Sequence, residues 1–298
     1  MNWFTTHDLL KRSGPFTMAP DYIIWYVLVA VAVGVGIFLL NKFKTEKRVK
    51  IVLITLWAVA LGLDAVKLIV NIFNNFTLSS DLPLYICSLF WYAMPIAIWG
   101  KGKFKDIAAA YVCTISWFGA IGNYVVPSIV VDYSLFSFYG FHTTLYHTIL
   151  LVTPLIMLCT GYTKLQWKNF IWQFYGFVLA TLVIIPFDAL TDTNYMYFNT
   201  GVTGIGFTED IAATLGVAWP LFMYLVYAAI MVVMQGLIWG VTKLVEIINA
   251  KIKAAGRQPQ VATISGAAET AAPAVENVEP VAEEKPAAKT TKAKTTKK

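Results

Sequence analysis

Charge is scarce in this chain. Asp, Glu, Lys and Arg make up 13% of its 298 residues, 58% are hydrophobic, and the mean hydropathy is +0.63. Soluble domains carry about a quarter charged residues, so a water-solvated globule is excluded and lipid is the expected solvent. Cysteine and histidine are sparse too, with three of each. Cys87, Cys113 and Cys159 are too few, and too deeply set in apolar runs, to make a disulfide framework. No histidine stands four residues from another His, Cys, Asp or Glu, so no helical metal-ligand pair can be read. There is no phosphate loop, GxSxG elbow or dinucleotide fingerprint, and no cofactor is expected. The net charge of +6 is no nucleic-acid-binding surface, because ten of the 23 basic residues lie after Thr242.

What the chain has instead is long apolar runs. A spanning helix needs roughly 20 apolar residues at 1.5 Å rise each. Spans are expected near 22–40, 51–73, 82–99, 107–127, 137–160, 169–189 and 218–242. The expected fold is all-α, a polytopic bundle of about seven transmembrane helices in a multi-pass protein of the cell membrane. Pro220 is expected to separate a short leading helix from the last span. Residues 1–21 lack a basic start followed directly by an apolar run, so the first span is expected to stay as an anchor.

Basic residues in short loops set the orientation, because they are retained in the cytoplasm. Lys42, Lys44, Lys47, Arg48 and Lys50 follow span 1; Lys101, Lys103 and Lys105 follow span 3; Lys164 and Lys168 follow span 5. The opposing loops, 74–81, 128–136 and 190–217, have no Lys or Arg. This predicts an external N-terminal segment (1–21), a transmembrane domain (22–249) and a cytoplasmic tail (250–298). After Arg257 no aromatic residue occurs and six lysines close the chain. Such a segment buries too little apolar surface to offset its ordering entropy, so disorder is expected. Its lysines suit contact with anionic lipid headgroups, set against a plain solvated tail.

Ionisable groups inside spans are costly and therefore candidate functional residues. Asp64, Lys67 and Asn71 fall along one stripe of span 2, where Asp64 and Lys67 can neutralise each other as a structural ion pair. By the deduced orientation Cys87 lies roughly 8 Å below the outer boundary. His142, His147, Asn123 and Asp188 share that layer. A thiol in apolar surroundings needs a base to become a nucleophile, and a histidine oriented by Asp or Asn would supply one. His142 and His147 are five apart, about 140° around a helix. Both therefore do not point at one sulfur, and His142 is the preferred base. The competing reading makes Cys87 a small packing residue and each His an interhelical tie.

Three strings carry a resemblance: Leu82-Pro83-Leu84-Tyr85-Ile86-Cys87, Phe141-His142-Thr143-Thr144-Leu145-Tyr146-His147, and Thr193-Asn194-Tyr195-Met196-Tyr197. In this order they resemble the bacterial YwaF-like membrane proteins over about residues 20–245. Tyr85 stands where many members have His. That family is related to a eukaryotic multi-pass phospholipid acyltransferase. The resemblance implies acyl transfer by Cys87 with His142 or His147. In that reading Thr193 to Tyr197, Asn194 and Tyr195 among them, contact a headgroup, and Asn123 and Asp188 orient the base or steady charge. Asp64 and Lys67 complete the polar lining, and the expected partners are membrane lipids. The rivals are a transporter, with these polar residues lining a pathway, and a non-enzymatic membrane protein tethered by its tail.

Overall fold

The computed structural model describes residues 20–43, 45–74, 76–125, 135, 137–202 and 205–255. Among these the protein is a helical bundle, with helices α1 (Pro20–Phe43), α2 (Glu46–Asn74), α3 (Phe90–Trp99), α4 (Gly102–Tyr111), α5 (Trp117–Val125), α6 (Phe138–Cys159), α7 (Phe170–Thr191), α8 (Gly206–Leu215) and α9 (Trp219–Ala255). Five segments are long and apolar enough to cross a membrane: Ile23–Phe43, Glu46–Asn74, Phe138–Cys159, Trp167–Thr191 and Gly206–Leu244. Their outward faces carry Val31, Phe38, Leu179, Val183, Leu190, Leu225 and Leu237, all exposed. In water such a surface would be a liability; against lipid it is the expected one. Residues 1–250 make one compact unit and 251–298 a second, of which the end of α9 is described. Nearly all of the expected external segment and the lysine-rich tail lie outside the described residues.

Two further apolar segments depart from the simple span pattern. Residues 102–125 form one rod in which α4 and α5 are joined by a wide π-type turn, Val112–Ser116, buried throughout. At 1.5 Å per residue the rod is about 35 Å long, enough to cross. The expected helix at 82–99 starts only at Phe90, and α3 has 10 residues, too few to span alone. Before it the chain runs through turns from Leu78 to Leu89. Pro83 has no N–H to give to a helix. The following amides close short rings instead, from Ser88 N to Tyr85 O at 2.9 Å and from Phe90 N to Cys87 O at 3.2 Å. Cys87 therefore sits on a turn, and a depth computed from helical rise does not apply to it.

The break before the last span also differs in place. It falls at Gly216–Ala218, with Gly216 at φ 51°, a conformation that favours glycine. Pro220 lies in the first turn of α9, where a missing N–H costs no intrahelical bond.

The core joins Leu53 of α2, Phe90 and Met94 of α3, Val112 and Ile115 of the π-type turn, Leu150 and Met157 of α6, Phe177 of α7 and Met231 of α9. Helix α3 packs on α4, and α2 and α5 pack on α6. Thr45, Glu46, Lys105, Thr160, Gly161 and Tyr162 line one cavity, which gathers the lysine-bearing loops at one end.

At the other end the 78–82 turn meets the loop after α7. Asp188, 1% exposed, folds this loop back: its Oδ1 accepts from Thr193 Oγ1 at 2.7 Å and from Tyr195 N at 3.0 Å. Fully buried Tyr195 then donates its hydroxyl to Leu78 O and accepts from Leu82 N at 3.1 Å. Burial, with Asp81 and Asp188 nearby, pushes the Tyr195 phenol up to about 12. Between pH about 10, where a free phenol titrates, and about 12, the unfolded chain has lost this proton and the folded chain keeps it. The stabilisation is thus complete below pH 10 and drains as pH rises toward 12. Tyr195→Phe takes its hydroxyl partner from two part-buried backbone groups, Leu78 O and Leu82 N, at neutral pH, costing about 1 kcal/mol. Melting temperatures of the purified protein in detergent should therefore be lower for Tyr195→Phe at pH 7, yet fall less steeply than wild type between pH 10 and 12.

Candidate functional site

Three elements meet near Cys87. Helix α2 contributes Asp64, Lys67 and Asn71, the irregular turn contributes Cys87 and Ser88, and α6 contributes His142, Tyr146 and His147. The α2 stripe faces α6 as its spacing predicts. His142 Nε2 lies 2.8 Å from Asp64 Oδ1. Two turns along α2, Asn71 donates to Asp81 Oδ1 at 2.7 Å and accepts from the Tyr139 hydroxyl, one turn before His142 on α6. Lys67 lies between these two links. It makes no ion pair or hydrogen bond among the described residues, so the expected Asp64–Lys67 pair is not formed. Asp64 goes to the imidazole because α6 packs directly against this face of α2.

Each histidine has one nitrogen committed to an acceptor. With Asp64 Oδ1 as the acceptor, the proton lies on His142 Nε2 and the lone pair on Nδ1. His147 Nδ1 is 2.8 Å from Thr143 O, a carbonyl that again can only accept, which leaves Nε2 open. Both rings thus have the tautomer of an oriented base. The aromatic side chain between them is Tyr146. Its ring stacks on His142 (5.9 Å between centroids, 8° between planes) and meets His147 edge-on at 5.5 Å. Its hydroxyl donates to the Cys87 carbonyl at 3.2 Å. The thiol is within electrostatic range of Asp64 and Lys67, with Ser88 beside it.

Cys87 is half-buried, Cys113 buried and Cys159 exposed, and all three are free thiols. The turn approaches α5 at Gly119, where a Cβ would stand 3.0 Å from Ile86 Cγ2 and 3.7 Å from Cys87 Cβ. Among the described residues no group of three His, Cys, Asp or Glu side chains gathers as metal ligands.

The other candidates have different surroundings. Asn123, on α5, has a buried amide nitrogen without a partner among the described residues, and neither it nor Asp188 bonds to a histidine. Asn194 is spent on its own loop, accepting from Asn199 N and Thr200 N and donating to Gly201 O at 3.0 Å. Tyr195 is the latch described above. Sequence reasoning passed over Tyr146, although it lies within the quoted His-rich string, because an aromatic in an apolar helix gives no polar signal. Tyr197 belongs to the Thr193–Tyr197 string expected at a headgroup, but its backbone conformation carries no signal in the sequence. Met196 and Tyr197 adopt φ values of 54° and 61°, a left-handed backbone that costs non-glycine residues on the order of 1–3 kcal/mol each. Helix α9 clamps that turn: Tyr227 donates to Met196 O at 2.8 Å and Trp219 Nε1 to Tyr197 O at 2.9 Å.

The alternative pairings of Asp64 make different predictions for a double-mutant cycle. Asp64→Asn with His142→Gln should show a coupling of about 0.5–3 kcal/mol in thermal unfolding, whereas Asp64→Asn with Lys67→Gln should be additive within about 0.5 kcal/mol. Coupling to Lys67 alone would overturn the pairing.

Comparison with curated proteins and with solved structures found no match. A family model does match, that of the TMEM164 family, over residues 16–240. The match takes in α1 to α8, most of α9 and every residue of the Cys87 cluster. It covers well over half of the chain, and the protein therefore belongs to the TMEM164 family.

Proposed function

We propose that this multi-pass membrane protein is a cysteine-dependent acyltransferase acting on membrane lipids. One observation carries the reading: Tyr146 joins the thiol-bearing turn to both imidazoles, with its hydroxyl on the Cys87 carbonyl and its ring against His142 and His147. This reading takes Cys87 as the nucleophile, the two imidazoles as candidate bases and Asp64 as the carboxylate that orients one of them, on elements that Tyr146 links. The resemblance to the YwaF-like proteins and their acyltransferase relative supports the same roles.

In this mechanism an imidazole takes the Cys87 proton and the sulfur attacks the carbonyl carbon of a lipid ester. The carbonyl electrons move onto oxygen, then return and expel the lysolipid alkoxide, which takes the proton from the imidazolium. An acceptor hydroxyl reverses the sequence on the thioester, so the net reaction is transesterification without a further reagent. Asp64 orients His142 and offsets the charge of its imidazolium. Lys67, half-buried and without an ion pair among the described residues, suits an anionic headgroup. Asp188, Asn194 and Tyr195 support the turn, and Asn123 offers an amide to the lipid. The lysine-bearing end faces the cytoplasm, the site opens toward the opposite leaflet, and the tail lysines meet anionic headgroups.

In proteoliposomes with a radiolabelled diacylphospholipid and a lysophospholipid acceptor, Cys87→Ser should abolish transfer at unchanged abundance, while Cys113→Ser and Cys159→Ser retain it. Undiminished transfer by Cys87→Ser would sink the proposal.

A further inference from the structure

Five tyrosines surround the Cys87 turn. Four have hydroxyls committed to its backbone: Tyr85 donates to Ser79 O (3.1 Å), Tyr111 to Ile86 O (3.4 Å), Tyr146 to Cys87 O (3.2 Å) and Tyr195 to Leu78 O. The fifth is Tyr197. Its ring lies 6.5 Å from that of Tyr85, two residues before Cys87, and its phenol is within electrostatic range of the Cys87 thiol. That hydroxyl makes no hydrogen bond among the described residues, in surroundings where every other phenol of the group has one. Tyr197 is also half-buried rather than turned out to the surface.

The backbone singles out the same residue. The left-handed pair Met196–Tyr197 persists because Tyr227 and Trp219 of α9 hold its two carbonyls and Met196 is fully buried. Strain maintained by surrounding structure is a mark of a side chain aimed at a task. We propose that Tyr197 is a catalytic hydrogen-bond donor that stabilises the oxyanion formed when Cys87 attacks an acyl carbonyl. This rests on the acyltransferase reading and gives Tyr197, expected from the sequence only as a headgroup contact, a role in the chemistry. The proton stays on the phenol throughout. As the sulfur–carbon bond forms, the carbonyl pair moves to oxygen and the Tyr197 O–H shortens its contact to it, then relaxes when the carbonyl returns and the alkoxide leaves. A donor held in place before charge develops needs no reorganisation during the step. Burial holds the phenol above its ordinary value, so it remains protonated at neutral pH.

The test uses the full chain in detergent with p-nitrophenyl butyrate, whose p-nitrophenolate burst reports acylation of Cys87 whatever the natural acceptor. Tyr197→Phe should slow the burst about 100- to 1000-fold, the usual loss on removing an oxyanion donor. Alkylation of Cys87 by iodoacetamide, a displacement that forms no oxyanion, should keep its wild-type rate. A wild-type burst in Tyr197→Phe overturns the inference; so does a parallel loss of alkylation, which would make the residue a prop for the turn. Should Tyr197→Phe fail to fold, 3-fluorotyrosine at position 197, a stronger donor of the same shape, should speed the burst, and an unchanged rate again overturns the inference. A wild-type protein without a Cys87-dependent burst refutes the acyltransferase reading itself and is thereby told apart.

Discussion

Backbone that leaves the helix inside a lipid-solvated bundle must find every hydrogen-bond partner in the protein, since the hydrocarbon offers none. The 78–89 segment meets this demand with tyrosine. Hydroxyls from Tyr85, Tyr111, Tyr146 and Tyr195 reach the carbonyls of Ser79, Ile86, Cys87 and Leu78, and Tyr195 also accepts the Leu82 amide. A phenol suits the task because its ring packs among apolar side chains while its oxygen reaches a polar group. The turn is therefore held from α4, α6 and the loop after α7 together.

That support fixes what can happen at Cys87. A thiol on a regular helix would have been presented on a face set by helical phase; on a tyrosine-held turn it is presented by its neighbours. The Asp64–His142 and Asn71–Tyr139 links lock α2 to α6 at two points, so the imidazole side of the site is held on both helices. Tyr146 belongs to both, since one side chain satisfies the turn and flanks the rings.

The loop after α7 combines capping with strain. Asp188 gathers the Thr193 hydroxyl and Tyr195 amide as a cap would, and α9 holds the left-handed pair that follows. A costly backbone is tolerated there because several buried hydrogen bonds over-determine it.

The sequence alone determined the helical membrane class, the positions of most of the apolar runs and the inward stripe of α2, because hydrophobic length and helical period are local properties. It also placed Cys87, His142 and His147 among the candidates, since charge and polarity inside apolar runs stand out one residue at a time. Tertiary structure alone decided that Asp64 pairs with His142 rather than with Lys67, that Cys87 rides on a turn, and that Asn194 and Tyr195 serve the loop. Those outcomes depend on which face of one helix meets which face of another. A tyrosine hydroxyl's choice of carbonyl across the bundle has no signature in the chain, because the partners lie tens of residues apart and nothing in local hydropathy distinguishes them.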